Sequence, residues 1–442
     1  MILKFVNRIA AISCVGLLSC HLAFAVQATG QASTAANATT NSQSSGSVQP
    51  SAATTTPAAN STATPGVGVL NQSASGSPLI TPPAPDVNAN GFVLMDATTG
   101  QIIASKNMYE RMPPASLTKL MTMYIISKSL ADGKIHLTDQ VPISKEAWQT
   151  GGSRMFIQPN TSVSVDDLIQ GIVVVSGNDA TVAMAEYLGG SESSFVPLMN
   201  AQAKALGMNN TNYTDANGLP APDHYSCPHD IALLARHIIV DFPQYYHFYG
   251  EKYFTYNNIK QPNRNRLLWW DPSVDGLKTG HTEQAGYCLV ASAKRGDMRL
   301  ISVVMGAPTD HDRAADNQQL LNYGFRFFKT TTVYNANQTV TQAPSYFGQN
   351  KMVSLGLSQD LVLTLPVGQA ENLKANLTLP KIISAPISKG QRLGTMTLML
   401  NNQVIATRPL VAVQANPEAG LFSRLADHIS LMFQNLFHKN PG

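Results

Sequence analysis

Charge is what this chain has least of. Only 13% of its 442 residues are Asp, Glu, Lys or Arg, and the formal net charge is +3, where a typical globular protein devotes about a quarter of its residues to charge. No basic cluster interleaves with aromatics, which excludes nucleic acid as a partner. The shortage has a local source. Residues 26–85 contain no Asp, Glu, Lys, Arg or aromatic residue. Such an Ala/Ser/Thr/Asn/Gln/Pro/Gly tract cannot bury enough apolar surface to order itself, so a disordered linker is expected there.

Cysteine is scarce as well. Of four cysteines, Cys14 and Cys20 fall in the N-terminal segment, leaving Cys227 and Cys288. Two cysteines do not make a disulfide scaffold. An exported compartment permits a bridge between them, while two small buried hydrophobes is the other reading. A long apolar run is also missing. Residues 9–18 are apolar but too short for a confident membrane span. Lys4 and Arg8 precede that run and Ala23-Phe24-Ala25 follows it, the layout of a signal peptide over residues 1–25. Leu17-Leu18-Ser19-Cys20 faintly resembles a lipoprotein box, but a second Leu stands where a smaller residue is usual. Export follows.

What is present divides into three textures. In residues 86–330 helical and strand patterns alternate. Residues 91–96 and 101–105 form a hairpin around Ala97-Thr98-Thr99-Gly100, and residues 117–130 carry a helical stripe at Leu117, Leu120, Met121, Tyr124 and Ile125. Ser226, Pro228 and Asp230 look like a capped helix start. Residues 287–293 and 298–305 form a second hairpin joined by Lys294-Arg295-Gly296-Asp297, and residues 320–328 suggest a closing helix. The fold class is therefore α/β (α+β), an antiparallel sheet flanked by helices. Residues 331–416 change to short strands between Gly, Pro and Asn, a small all-β domain. In residues 417–442, Leu421, Phe422, Leu425, Ile429, Met432, Phe433, Leu436 and Phe437 fall within an arc of roughly 160° at ~100° per residue. That amphipathic helix suits a membrane interface or docking on its own domain.

Three short motifs carry chemistry. Ser116-Leu117-Thr118-Lys119 puts an amine three residues from a hydroxyl, on one helix face. A serine becomes a competent nucleophile beside such a base, and the first helical turn favours developing negative charge. Ser176-Gly177-Asn178 follows the apolar residues 172–175, a turn that presents a hydroxyl for proton shuttling and an amide for substrate. Lys278-Thr279-Gly280 precedes the second hairpin. Its cation and hydroxyl suit a carboxylate, and Gly280 would admit a close backbone approach from substrate. Singly each motif is common. In this order and spacing they match the serine acyl-transfer set.

With these motifs the chain resembles the low-molecular-mass penicillin-binding proteins of the D-alanyl-D-alanine carboxypeptidase family. The resemblance extends through Pro114-Ala115 before Ser116, Asp179-Ala180, Val274-Asp275-Gly276-Leu277, His281-Thr282, residues 263–269 and residues 299–306, and covers roughly residue 86 to the C-terminus. It implies that Ser116 forms the acyl-enzyme, Lys119 activates it and Ser176 relays protons. It implies that Asn178 orients substrate, Lys278 and Thr279 grip the terminal D-alanine carboxylate, and His281, Arg264 and Arg313 recognise or support it. The oxyanion hole would use the N–H groups of Ser116 and His281. The implied substrate is a peptidoglycan pentapeptide stem, β-lactams are covalent inhibitors, and the terminal helix anchors the chain peripherally to a membrane surface. No cofactor or metal is implied. The linker is longer than the family pattern leads one to expect.

Two rival activities share parts of this pattern. A class A β-lactamase needs a deacylating Glu in a Glu-x-x-x-Asn setting, and Glu186, Glu192 and Glu251 all lack the Asn. A zinc peptidase would exploit the His224, Cys227 and His229 cluster, but H-E-x-x-H is missing. A non-catalytic wall-binding scaffold would have no use for three intact motifs.

Overall fold

The computed structural model describes residues 81–437, with side chains as far as residue 432. The signal-peptide expectation, Cys14, Cys20 and all but the last five linker residues lie outside the described residues. A five-stranded antiparallel sheet organises the first part, in the order Ile102–Lys106, Gly91–Asp96, Met298–Ala307, Gly286–Arg295, Val274–Thr282. Period-two alternation sorts its side chains to two faces. Ile301, Val303 and Met305 join the core beneath the large helical set, whereas Leu300 and Val304 pack under the helix Asp310–Phe327. The last strand, Val274–Thr282, is an edge. Its register places Lys278 opposite Val290 and Gly280 opposite Cys288.

Local chemistry explains where the helices begin. Ser164, Ser191 and Thr309 each accept an N–H bond from the residue three ahead, starting Val165–Val173, Glu192–Ala205 and Asp310–Phe327. Pro228 opens Pro228–Asp241 at a position that needs no N–H donor. The cap there differs from the sequence expectation. Cys227 is the N-cap and no side chain caps the helix. The Asp230 carboxylate instead accepts from the Asn210 amide and the Thr211 hydroxyl. The closing helix also starts ten residues earlier than its apolar stripe. Its first turns bury Arg313, Asp316 and Asn317, polar groups invisible to a hydrophobic pattern. Cys227 and Cys288 are buried free thiols.

Strand Phe328–Tyr334 follows that helix directly and pairs with Leu361–Pro366. A second five-stranded sheet runs Thr339–Pro344, Met352–Gly356, Gln403–Ala412, Arg392–Leu400, Leu373–Thr378, around a core that includes Leu361, Leu363, Met396, Leu398 and Leu410. Two contacts join this β region to the first sheet. Buried Asp96 accepts from the Thr330 hydroxyl while its other oxygen holds the amides of Thr98 and Thr99, and the hydroxyls of Thr99 and Thr364 meet at 2.6 Å.

The helix Leu421–Phe437 ends the described chain. It meets the β region through its polar side. Leu421 is 82% exposed and Phe422 91%, while Asp427 is only 8% exposed. Among the described residues no helix is long and apolar enough to cross a membrane.

Candidate active site

Ser116 sits in a 3-10 turn, Ala115–Thr118, that feeds the helix Lys119–Ala131. Ala115 just before it has φ +48°, and Ser176 has φ +61°. Non-glycine residues hold that left-handed conformation only when their surroundings impose it, as functional sites often do. Gly218 is part of that imposition. It has φ +87°, and a Cβ there would lie 1.8 Å from the Ala115 carbonyl oxygen. Gly218→Ala is therefore expected to cost about 3 kcal/mol or more of folding stability, read from denaturant midpoints.

Lys119 is wholly buried. Its Nζ donates to Oδ1 of Asn178 and to the Asn217 carbonyl, both at 2.7 Å, and lies 3.1 Å from the Ser116 hydroxyl. Burial above all, helped by the nearby Arg264 charge and opposed by Asp215 and Glu192, brings its pKa down to about 7. A neutral amine has two N–H groups and one lone pair. Two carbonyl oxygens take the N–H groups, which leaves the lone pair aimed at Ser116.

The second pair is Lys278 and Ser176. Lys278 is 2% exposed and donates to the Ser176 hydroxyl and to the Thr279 carbonyl, each at 2.9 Å. Burial, then the charges of Lys119, Arg264 and Arg313, hold its pKa well below the usual lysine range. Ser116 and Ser176 line a cleft of about 410 Å³ together with Gly152, Ser153, Arg264, Thr279, Gly280, His281, Tyr287 and Arg313.

All ten site residues expected from sequence gather here, in two layers. Lys119, Asn178 and Lys278 stand behind the cleft wall. Asn178 has both ends of its amide engaged, by Lys119 and by the Gly151 carbonyl at 2.7 Å. Arg313 braces the edge strand, donating to the carbonyls of Gly280 at 3.0 Å and Cys288 at 3.4 Å, and pairs with Asp310. The His281 ring packs 4.0 Å from that of Tyr287. Gly280 differs in its reason. A Cβ there would meet the Pro114 carbonyl at 3.1 Å and the Ser116 amide at 3.2 Å, so the close approach is made by the serine turn of the protein itself.

Other contributors were given no role from the sequence. Asp179 accepts from the amides of Met155, Phe156 and Ile157 and so pins the loop that brings Gly152 and Ser153 to the cleft. Glu192 accepts from the Ala216 amide at 2.9 Å, next to the carbonyl that holds Lys119. Asp215 accepts from the amides of Asn217 and Gly218. The Asn217-Gly218 dipeptide is a turn signal in the sequence, but nothing local tells what it turns toward. The histidines of the possible zinc cluster have separate partners. His224 bonds Thr118 and Thr214, and His229 lies 3.1 Å from Asp230. Among the described residues no group of three or more His, Cys, Asp or Glu could hold a metal ion.

Comparison with known proteins places this geometry. A family model described as D-alanyl-D-alanine carboxypeptidase, peptidase S11, matches residues 79–309. A model of the penicillin-binding protein 5 C-terminal domain matches residues 328–418. The D-alanyl-D-alanine carboxypeptidase DacC of Escherichia coli (strain K12) is 46% identical over 362 residues, 80% of this chain and 90% of its own length. Penicillin-binding protein 5 from Haemophilus influenzae superposes with a TM-score of 0.72 at 45% identity, over 77% of this chain and all of its own. Penicillin-binding protein D2 from Listeria monocytogenes, solved with cefotaxime bound, is 30% identical with a TM-score of 0.51, over 55% of this chain and all of its own.

Proposed function

The chain belongs to the D-alanyl-D-alanine carboxypeptidase family and is a serine hydrolase of the penicillin-binding proteins that acts in peptidoglycan maturation, and from that premise we propose how its residues divide the work. Ser116 Oγ attacks the carbonyl of the penultimate D-alanine, and neutral Lys119 takes the hydroxyl proton. The tetrahedral oxyanion rests on the N–H groups of Ser116 and His281. Collapse breaks the amide bond. The departing amine of the last D-alanine receives that proton from Lys119 by way of Ser176, which Lys278 backs, so Lys119 is neutral again. Water then attacks the Ser116 ester with Lys119 again as base, restoring the hydroxyl and releasing the tetrapeptide stem.

Thr279 and Arg264 bind the substrate carboxylate, Arg313 holds the strand beneath it, and Asn178 orients the reaction from behind by fixing Lys119. The observation that carries the reading is the double acceptor set around Lys119, which leaves one lone pair directed at Ser116. The test is release of D-alanine from a diacetyl-lysyl-D-alanyl-D-alanine tripeptide. Sustained β-lactam hydrolysis without D-alanine release would overturn it in favour of a β-lactamase.

For placement we assign residues 1–25 to export, 26–85 to a linker, 86–330 to catalysis, 331–416 to a β domain and 417–442 to a peripheral anchor at the periplasmic face of the inner membrane. The outward-facing apolar stripe of the last helix supports the anchor. A chain ending at residue 419 is expected to leave the membrane pellet for the supernatant while releasing D-alanine from the tripeptide within about twofold of the full chain. Retention in the pellet, read by immunoblot, counts against the anchor.

A further inference from the structure

The terminal helix is fastened to the β region on the side opposite its apolar stripe. At ~100° per residue, Leu421, Phe422, Leu425, Ile429 and Met432 span about a quarter of the wheel, and Asp427 stands across from their centre. The Asp427 carboxylate accepts from the Phe347 amide at 2.6 Å and from Lys351 Nζ at 2.7 and 2.8 Å. Lys351 also donates to the Ser423 hydroxyl at 3.0 Å, and the His428 ring packs 4.5 Å from Phe347.

The segment leading into the helix is fixed to the same turn. The Asn416 side chain donates to Ser345 and to the Asn350 carbonyl and accepts from the Asn350 amide. The Gln349 amide donates to the Pro417 carbonyl and the Ala419 amide to the Phe347 carbonyl, at 2.9 and 2.8 Å. Residues 345–351 thus form a socket that grips the chain from residue 416 to residue 428. An ordinary surface helix does the reverse, burying its apolar face and leaving its polar face to water.

We propose that this socket, closed by Asp427, makes the anchor a rigid foot, so that a phospholipid bilayer meets the protein at one fixed attitude instead of through a swinging tether. The proposal rests on the membrane reading of the helix given above. Its occupant is a bilayer because the stripe is apolar and faces outward, while the polar side that would otherwise face water is consumed by the socket. A flat apolar stripe on a rigid mount fits a planar interface. The attitude then passes upward through the Asp96–Thr330 and Thr99–Thr364 contacts and sets where the cleft stands above the lipid.

The experiment uses the chain from residue 26 onward, which lacks Cys14 and Cys20, with Lys294→Cys as the labelling site, since Cys227 and Cys288 are buried. Energy transfer from that label to acceptor lipids is measured on vesicles of phosphatidylethanolamine and phosphatidylglycerol. The unaltered socket should give one narrow distance. Asp427→Ala and Lys351→Ala should bind the vesicles within about threefold but give a broad distribution. A broad distribution with the socket intact, or a narrow one in both variants, overturns the rigid foot.

Hydrogen exchange in vesicle-free protein separates this from the anchor reading. The Phe347 amide should exchange roughly 100-fold faster in Asp427→Ala, because its acceptor is gone. If the unaltered chain ignores vesicles, the anchor reading and the membrane half of the proposal fall together, and the exchange result alone decides whether Asp427 closes the socket. Unchanged exchange removes the socket even where vesicles bind.

Discussion

Ser116→Ala is expected to abolish the covalent penicillin adduct and to cut D-alanine release by about 10⁴-fold or more, the scale seen when an acyl-transfer nucleophile is removed. Loss of one hydroxyl leaves the surroundings in place. Lys119 keeps its bonds to Asn178 and Asn217, so the effect reports chemistry and not collapse of the site. Intact-mass spectrometry after incubation with penicillin reads the adduct, and peptide mapping locates it. An adduct surviving in Ser116→Ala, on any other residue, would remove Ser116 from the mechanism. Unfolding midpoints of the two proteins should stay close, because Lys119, the buried partner of the lost oxygen, keeps its two shorter hydrogen bonds.

The second large effect concerns the charge state of Lys119. On the proposed mechanism acylation needs the neutral amine. With the pKa brought to about 7 by burial, the amine is mostly protonated below that pH and mostly free above it. The second-order acylation rate should therefore fall about tenfold per pH unit below 7 and level off above it. Lys119→Arg holds a permanent cation in the same position and is expected to lose about 10³-fold or more at every pH, with no recovery as pH rises. Asp215→Asn removes the strongest charge opposing the shift, so its acid limb should move to lower pH. Stopped-flow acylation with a chromogenic cephalosporin between pH 5 and 9 measures all three proteins. A flat profile in the unaltered chain, or a limb that does not move in Asp215→Asn, would assign the base elsewhere.

Much of this was legible in the sequence where the information is local. The hairpin around Lys294-Arg295-Gly296-Asp297 shows because strand alternation and turn residues are short-range signals, and it appears as Gly286–Arg295 and Met298–Ala307. The serine motif shows because helical spacing alone brings Lys119 back to Ser116. The first half of Asp310–Phe327 was hidden because it buries hydrogen-bonded polar residues, Arg313 and Asn317 among them. The partners of Lys119 were hidden for another reason. The Asn217 carbonyl is 98 residues away in sequence, and a backbone oxygen has no side-chain identity to read. Gly280 was recognised as a place of close approach, but which body approaches it is a tertiary fact.

The sheet margin formed by Val274–Thr282 has a consequence for drug action. Among the described residues no strand pairs with its outer side; side chains already hold the carbonyls of Gly280 and Gly276, and the main-chain groups left over stand at a strand edge that a guest could use. On the proposed mechanism, a stem peptide lying there would extend the sheet for as long as the ester lasts, recognised by its backbone more than by its side chains. An antibiotic offering the same amide would use the same seam. Covering or stiffening that seam to refuse the antibiotic would refuse the wall as well, which confines viable escape to faster ester breakdown or to a larger supply of target.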